Sequence, residues 1–338
     1  MTSGPSGHSE RSGIAAAGNW IIDHVKEIDV YPSQDALANI LAQSKGNGGA
    51  PYNLLKDLAR LNLGLSLEGV GLVGTDDDGQ FIIRDCQAHG IDTRFLVATK
   101  DAPTSYTDVM AVRSSGRRTF FHQRGANSLL CPDHFDFSQL KAQHLHLGYL
   151  LLLDCLDQPD GEYGTASARV LAEAKRAGMS TSIDVVSEDS ERFRDMVLPC
   201  LKYADVVFMN EFELARTSGI RLADASDIRL LKAGELLMED MPGALVVHTP
   251  ERVFAFIDEH RYEHGSVRMP AEQVVGAVGA GDAFAAGYLV GFLRGLDVQE
   301  CLRFGVCVAA SSLTQPDCSS GIQCLDCCLE LGKRHGYT

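Results

Sequence analysis

A run of small residues precedes an aspartate where a helix is expected to begin. Residues 278–287 read VGAGDAFAAG, in which Asp282 follows Gly279, Ala280 and Gly281. Small residues let backbone N–H groups approach an anion closely, and the helix N-terminus adds a favourable dipole. Asp282 could therefore act as a general base on a hydroxyl while the preceding amides hold a phosphoryl group. Alternatively, the same acid could simply cap the helix.

Two further stretches place polar groups where a ligand could lie against backbone. Residues 46–53 read GNGGAPYN, so Gly48 and Gly49 precede a predicted helix that carries Asn53. The amide of Asn53 can both donate to and accept from hydroxyls. Asp23 follows the first predicted strand, at the carboxyl edge where α/β sheets bind ligands. The alternatives are an ordinary tight turn for the glycines and an exposed loop acid for Asp23.

Short apolar runs alternate with helical segments from Gly13 onward. This alternation predicts an α/β fold, with a doubly wound, mostly parallel sheet and helices on both faces. The predicted strands are Ile14–Ala17, Leu67–Val73, His144–Leu150, Ser180–Val186, Val206–Met209 and Leu245–His248. The predicted helices are Ser33–Gln43, Pro51–Leu61, Asp78–Ala88, Tyr163–Ala177, Ala225–Met238, Gly281–Arg294 and Val298–Leu313. Residues 1–12, rich in Gly, Ser and Pro, are predicted to form a disordered tail ahead of a domain over 13–338.

Two segments, at about 19–31 and 95–123, alternate apolar and polar residues without an intervening helix. They predict strands inserted beside the parallel sheet, including a hairpin that turns at Ser115-Gly116. Such strands could form a small lid over the ligand crevice, or an edge hairpin with no gating role.

The composition argues against several classes of partner. The chain has 45 acidic and 30 basic residues, a formal charge of −15, and such a surface repels a nucleic-acid backbone. It contains no apolar run of the roughly 18 residues that a membrane span needs. The small, polar N-terminal segment lacks the plan of a signal peptide, so a cytoplasmic location is expected.

Ten cysteines are numerous for a cytoplasmic chain, and six lie in the last 40 residues. The group Cys324, Cys327 and Cys328 could suggest zinc, but a structural site usually needs four ligands in two separated pairs. We therefore expect reduced thiols packed as small hydrophobic groups for the six, which are Cys301, Cys307, Cys318, Cys324, Cys327 and Cys328.

Several motifs in order along the chain carry a resemblance. Residues 48–53 and 70–79 match one signature, and Gly279–Gly287 matches a second. Between them, Asn210-Glu211-Phe212-Glu213 has the form N-x-x-E, and Gly125-Ala126-Asn127 matches a sugar-side turn. On these motifs the chain resembles the ribokinase-like (PfkB) family of sugar kinases, from about Gly13 to the C-terminus.

The resemblance implies a ribokinase-like fold that transfers the γ-phosphoryl group of ATP to a primary hydroxyl of a small sugar or sugar acid. Asp282 would be the base, and Gly279, Ala280 and Gly281 would form the anion hole. The acceptor would contact Asp23, Gly48, Gly49, Asn53, Arg124 and Asn127. The nucleotide would contact Asn210, Thr249, Gly279 and Gly281, with Mg²⁺ held near Glu213 and Asn210 through water. Family members often dimerise through the lid, so a homodimer is expected by analogy.

The nucleotide side departs from the family pattern. Gly276-Ala277-Val278 stands where Asp-Thr-Thr is usual, and Thr249–Val253 replaces a loop bracketed by glycines. Val306 stands where Asn or His often meets the purine, and Asp317-Cys318 replaces Gly-Ala. Three interpretations remain: ATP bound through backbone contacts, weak ATP use or another donor, and a sugar-binding pseudokinase. A nucleoside kinase of the same fold is a further alternative, disfavoured by a single Trp and no evident aromatic sandwich.

The predicted hairpin is locally basic, with Arg113, Arg117, Arg118 and Arg124 close together. Arginine binds carboxylate and phosphate bidentately, so this density could indicate sugar acids or sugar phosphates as acceptors. Charge on an edge strand also blocks unwanted pairing, which is the alternative.

Overall fold

A computed structural model describes residues 11–221 and 227–338. Its strands are β1 Ile14–Gly18, β2 Ile21–Ile28, β3 Ile40–Gly48, β4 Leu67–Gly74, β5 Asp92–Thr99, β6 Ser105–Val112, β7 Arg118–Gln123, β8 His144–Leu150, β9 Pro159–Asp160, β10 Gly164–Thr165, β11 Ser180–Val185, β12 Val206–Asn210, β13 Ala244–His248, β14 Arg252–Ile257 and β15 His260–Gly265. Its α-helices are α1 Ala50–Arg60, α2 Asp77–Ala88, α3 Ala166–Arg176, α4 Phe193–Leu201, α5 Glu211–Ser218, α6 Asp227–Met238, α7 Ala280–Leu293, α8 Val298–Ser312 and α9 Leu325–His335.

A nine-stranded sheet forms the centre of the fold, in the order β15-β14-β13-β12-β11-β8-β1-β4-β5. The strands from β13 to β5 are parallel, and β14 and β15 add an antiparallel edge. β1 shows why both faces carry helices, because Ala15 and Ala17 join one apolar core while Ile14 and Ala16 join the other. The predicted doubly wound α/β architecture is confirmed.

A second sheet of four strands, in the order β3-β2-β6-β7, forms the lid. The hairpin predicted at Ser115-Gly116 joins β6 to β7 as expected. Residues 95–99 were expected in the lid, but they lie in β5. This strand pairs in parallel with β4 and forms one edge of the central sheet, where its backbone groups gain hydrogen-bond partners.

The helix predicted at Ser33–Gln43 is wrong. Asp35 has a φ of 65°, which a right-handed helix does not accommodate, and Asn39 donates from its backbone and side chain to the Asp29 carboxylate. From Ile40 the chain is extended and pairs with β2 to become the outer lid strand. Pairing with β2 therefore determines the conformation of this segment, against its local helical pattern.

The remaining predicted helices and strands are present, with small shifts at their ends. The helix predicted from Tyr163 begins at Ala166, because the Thr165 hydroxyl accepts from the Ala168 amide and caps it. The start predicted at Ala225 for α6 lies outside the described residues. So do residues 1–10 of the predicted tail, whereas the Arg11 guanidinium donates to the carbonyls of Leu140 and Phe137.

The cysteine prediction is wrong for Cys324 and Cys327, which form a disulfide at the start of α9. Their spacing of three residues places both sulfurs on the same turn, so pairing needs no distant partner. A second disulfide joins Cys131 to Cys155. The other four cysteines of the C-terminal group are buried free thiols, namely Cys301, Cys307, Cys318 and Cys328. In the described ranges no helix is long and apolar enough to cross a membrane.

Candidate active site

Asp282 lies in the first turn of α7, whose N-cap is Gly279. Its Oδ2 accepts from the Asn53 amide at 2.8 Å, and the Tyr149 hydroxyl donates to Oδ1 at 2.9 Å and to Oδ2 at 2.8 Å. Burial raises the pKa of the Asp282 carboxyl to about 6, although hydrogen bonds from Asn53 and Tyr149 lower it. A group with this pKa is ionised at neutral pH and still basic enough to accept a proton.

The turn before Asp282 brings backbone close to its neighbours. Gly279 has a φ of 74°, and a Cβ there would lie 2.7 Å from the Cβ of Cys318. A Cβ on Gly281 would lie 3.3 Å from Cε1 of His248. Gly279 has no side chain to cap this helix, and the Ala280 N–H donates to the Ala277 carbonyl at 3.5 Å. In the described residues the N–H groups of Gly281 and Asp282 have no acceptor, so they remain available to an anion.

The acceptor-side residues predicted from the sequence converge near Asp282. Gly49 is the N-cap of α1, and a Cβ on it would meet the Asn19 carbonyl. Gly48 packs equally tightly, because a Cβ there would meet the Asp23 carboxylate. Asn53 is buried, and its Oδ1 accepts from the Asn47 amide at 2.7 Å, which leaves its Nδ2 directed at Asp282.

Asp23 comes from lid strand β2 and faces the same cleft. Burial and the nearby charge of Asp282 raise the pKa of the Asp23 carboxyl to about 7, while Thr107 and Arg118 act in the opposite direction. A carboxylate in this position can accept hydrogen bonds from hydroxyl groups, which stabilise its charge.

Arg124 and Asn127 serve the loops around the cleft. Arg124 donates to the Leu151 carbonyl and to Asp154, both at 2.9 Å. Asn127 is buried, and its side chain exchanges two hydrogen bonds of 3.2 Å with the backbone of Trp20. Asn127 therefore fixes the β1–β2 connection, Arg124 holds the segment after β8, and the structure gives both side chains protein partners.

Asn210 and Glu213 form a capping box at the start of α5. The Asn210 Oδ1 accepts from the Glu213 amide, and the Glu213 Oε2 accepts from the Asn210 amide, both at 2.9 Å. The other Glu213 oxygen accepts from the Ser187 hydroxyl at 2.8 Å. Burial, with a smaller contribution from the charge of Asp282, raises the pKa of Glu213 to about 7, although the hydrogen bonds from Asn210 and Ser187 lower it.

Sequence reasoning missed two residues that complete this cluster. Tyr149 lies near the end of β8, and Asp184 lies near the end of β11. Asp184 is buried, and burial together with the charges of Asp282 and Glu213 raises its pKa well above the usual range. Both residues end buried parallel strands, so the carboxyl-edge rule that selected Asp23 could have selected them too.

A cavity of about 570 Å³ adjoins the start of α7. Its polar lining includes Asn210, Thr249 and His248, and burial lowers the pKa of His248 to about 4 so that the imidazole is neutral. Val306 and Leu313 belong to an apolar wall. Thr249 also closes the β13–β14 turn, since its hydroxyl donates to the Arg252 carbonyl at 2.9 Å.

The lining of this cavity combines an apolar wall with polar groups that a nucleotide could contact. An apolar wall suits a purine face, and Gly281 at its edge connects it to the N–H groups at the start of α7, where a phosphate would lie. The departures Ala277 and Val306 line the cavity without filling it. In the described ranges no cluster of three or more His, Cys, Asp or Glu is arranged to hold a metal ion by itself.

Comparison with solved structures shows that this architecture is the ribokinase fold. The ribokinase of Arabidopsis thaliana, complexed with ribose and ATP, superposes with a TM-score of 0.77 at 22% identity, covering 95% of this chain and 98% of that one. The chain belongs to the pfkB family of carbohydrate kinases, whose family model matches residues 16–324. The predicted family membership is thereby confirmed.

Two relatives illustrate the range of activities in similar proteins. An ATP-dependent ribose-1-phosphate kinase from Halopiger xanaduensis is 27% identical over 294 residues, covering 86% of this chain and 88% of that protein. A nucleoside kinase from Methanothermobacter thermautotrophicus is 23% identical over 304 residues, covering 89% of each chain. The chain is therefore a sugar or nucleoside kinase of the ribokinase type.

Proposed function

We propose that this protein transfers the γ-phosphoryl group of ATP to a primary hydroxyl of a small sugar derivative, with Asp282 as general base. The observation that carries the proposal is the position of Asp282. Its carboxylate accepts from Asn53 on the acceptor side, and its own helix turn borders the cavity through Gly281. A carboxylate between an acceptor site and a phosphate site is placed to act on the hydroxyl that attacks.

The transfer makes one bond and breaks one. The acceptor oxygen bonds to the γ-phosphorus, the bond from that phosphorus to the bridging oxygen breaks, and ADP leaves. The proton of the hydroxyl passes to the Asp282 carboxylate. The N–H groups of the Gly279–Gly281 turn, at the positive end of α7, stabilise the charge on the moving phosphoryl group.

The remaining named residues have supporting roles in this proposal. Asp23 and Asn53 bind acceptor hydroxyls, with Gly48 and Gly49 allowing the close approach, while Arg124 and Asn127 fix the loops beneath them. The lid covers the cleft and excludes water, which would otherwise compete with the sugar as the phosphoryl acceptor.

Mg²⁺ fits next to the buried acids. Glu213 and Asp184 are carboxylates that repel each other and Asp282, so a cation would relieve an unfavourable buried charge. Together with Asn210 they would hold the ion through water, since Mg²⁺ commonly keeps several waters and completes its shell with phosphate oxygens. When bound, the ion would neutralise charge on the transferred phosphate.

Thr249, Asn210 and the α7 turn would hold the nucleotide, although the loop after β13 lacks its usual glycines. Backbone donors do not depend on side-chain identity, so the loss of glycines and of Asp-Thr-Thr is compatible with ATP binding. The 27% identity with an ATP-dependent ribose-1-phosphate kinase supports the same donor.

The test is direct phosphorylation. Purified protein is incubated with Mg²⁺-ATP and a panel of free sugars, sugar acids, sugar phosphates and nucleosides, and products are followed by ³¹P NMR. The proposal expects an acceptor-dependent phosphate ester with stoichiometric ADP. Binding of an acceptor and of ATP without any ester in the whole panel would contradict it and favour a sugar-binding pseudokinase.

A further inference from the structure

The four arginines around the lid hairpin have different surroundings. Arg113 pairs with Glu27 on the exposed side of the lid, and Arg124 is held by Asp154. Arg117 is exposed in the turn. Arg118 differs from all three, because it is half-buried and has no side-chain hydrogen bond or ion pair in the part of the chain that the structure describes.

Arg118 opens strand β7 and reaches across the cleft to the body of the molecule. Its Nη2 lies 3.3 Å from the position that a Cβ on Gly276 would occupy, and its charge acts on Cys318 and on Asp23. Gly276 precedes the anion-hole turn, and Asp23 is the acceptor-side carboxylate. The guanidinium therefore lies between the acceptor-side carboxylate and the segment that precedes the anion-hole turn.

The guanidinium of Arg118 is free to contact a ligand. It carries five N–H donors and a fixed charge, its nitrogens keep contact with solvent, and in the described residues no protein group accepts from them. The charges of Asp23 and Arg118 act on each other, but in the described part of the chain the two side chains form no ion pair. Carboxylate and phosphate groups both match the fork of arginine bidentately.

The nearby acids make a cation necessary for any negatively charged acceptor. Asp23, Asp282 and Asp184 would repel any negative group on an acceptor, so an anionic acceptor needs a cation on the side opposite the transferred phosphate. Arg118 meets that need from the lid. It does not belong to the lining of the nucleotide cavity, which includes no lid residue.

Resting on the kinase function proposed above, we propose that Arg118 is a specificity-determining residue that binds an oxyanion substituent of the acceptor. The acceptor class is then a sugar that already carries a phosphate ester or carboxylate away from the hydroxyl to be phosphorylated. The lid strand then covers the site and also selects acceptors that carry this negative group.

The experiment compares acceptors that differ in the anionic group. Ribose is paired with ribose 1-phosphate, and 2-keto-3-deoxygluconate serves as the carboxylate arm. Each is titrated by calorimetry and assayed with Mg²⁺-ATP on the wild type, on Arg118→Gln and on Arg117→Gln. The neighbouring Arg117→Gln is the matched control, since it removes the same charge from an exposed position of the same hairpin.

We expect wild-type affinity to favour an anionic acceptor, with the preferred arm identifying phosphate or carboxylate. Arg118→Gln should weaken binding of that acceptor by about 10- to 100-fold, as for a lost hydrogen bond to a charged group, and should weaken ribose binding far less. Arg117→Gln should behave as wild type. Arg118→Lys should recover part of the loss, because it restores charge without the fork.

Three results would overturn the inference. One is equal wild-type affinity for neutral and anionic acceptors. Another is an equal loss for ribose and ribose 1-phosphate in Arg118→Gln. The third is a loss confined to the KM for ATP, which would place the guanidinium on the γ-phosphate instead. If no acceptor is phosphorylated while anionic acceptors bind in an Arg118-dependent way, the kinase proposal fails and this inference stands.

Discussion

Removing the Tyr149 hydroxyl should shift the proton equilibrium of Asp282. The hydroxyl donates to both carboxylate oxygens, at 2.9 and 2.8 Å, and Tyr149→Phe leaves the Asn53 amide as the remaining donor. A hydrogen bond to a charged acceptor contributes about 1.5–3 kcal/mol, and about 1.4 kcal/mol corresponds to one pKa unit. The pKa of Asp282, about 6 in the wild type, should therefore rise by about 1–2 units.

The assay is the pH dependence of kcat/KM for the best acceptor between pH 5 and 9.5. In the wild type, activity should fall below about pH 6 as Asp282 becomes protonated, and in Tyr149→Phe this acidic limb should move to about pH 7–8. Tyr31→Phe is the control, because Tyr31 is 47% exposed. An unchanged acidic limb with a uniformly lower rate would refute the reasoning that Tyr149 sets the protonation of the base.

Two further comparisons test the lid and the start of α7. The pKa of the Asp23 carboxyl is raised from 3.8 to about 7, so the folded wild type binds this proton more tightly than the unfolded chain and loses stability as the pH rises between these two values. In urea unfolding, the free energy of unfolding of Asp23→Asn should therefore rise relative to that of the wild type by up to about 4 kcal/mol between pH 4 and 8. A difference between the two proteins that stays constant with pH would contradict this. Gly279→Ala and Gly295→Ala each place a side chain at positive φ, costing about 1–2 kcal/mol, but only at Gly279 would the Cβ also collide, 2.7 Å from Cys318. Thermal unfolding and kcat/KM should therefore suffer more in Gly279→Ala, and equal effects would argue against a close-packed anion hole.

The central sheet was predictable because its strands are buried on both faces. Runs such as Leu67–Gly74 and Ala244–His248 are nearly continuous in small and apolar residues, so the sequence predicts them as strands without knowledge of the neighbouring strands. The lid was predictable only in part. β3 is largely exposed, so its residues have no apolar periodicity of their own, and only pairing with β2 makes them a strand.

The residues of the candidate site differ in the same way in how far the sequence predicts them. Asp282 and Asn53 stand in local motifs, and the structure brings them within hydrogen-bond distance. Tyr149 and Asp184 carry no local signal beyond the strand ends on which they lie. The pairing of Cys131 with Cys155 likewise depends on two loops that meet only in the folded chain. Among the hairpin arginines, the sequence could not distinguish the unpaired Arg118 from the paired Arg113 and Arg124.

The most direct test of the central claim is a paired measurement on Asp282→Asn. Calorimetry would give its affinities for Mg²⁺-ATP and for the acceptor, and a turnover assay would give kcat, with the exposed Asp258→Asn as control. The account predicts both affinities within about threefold of the wild type and a kcat lower by about 10²- to 10⁴-fold, the usual contribution of a general base. Turnover within tenfold of the wild type, with binding intact, would contradict the assignment of Asp282 as the base.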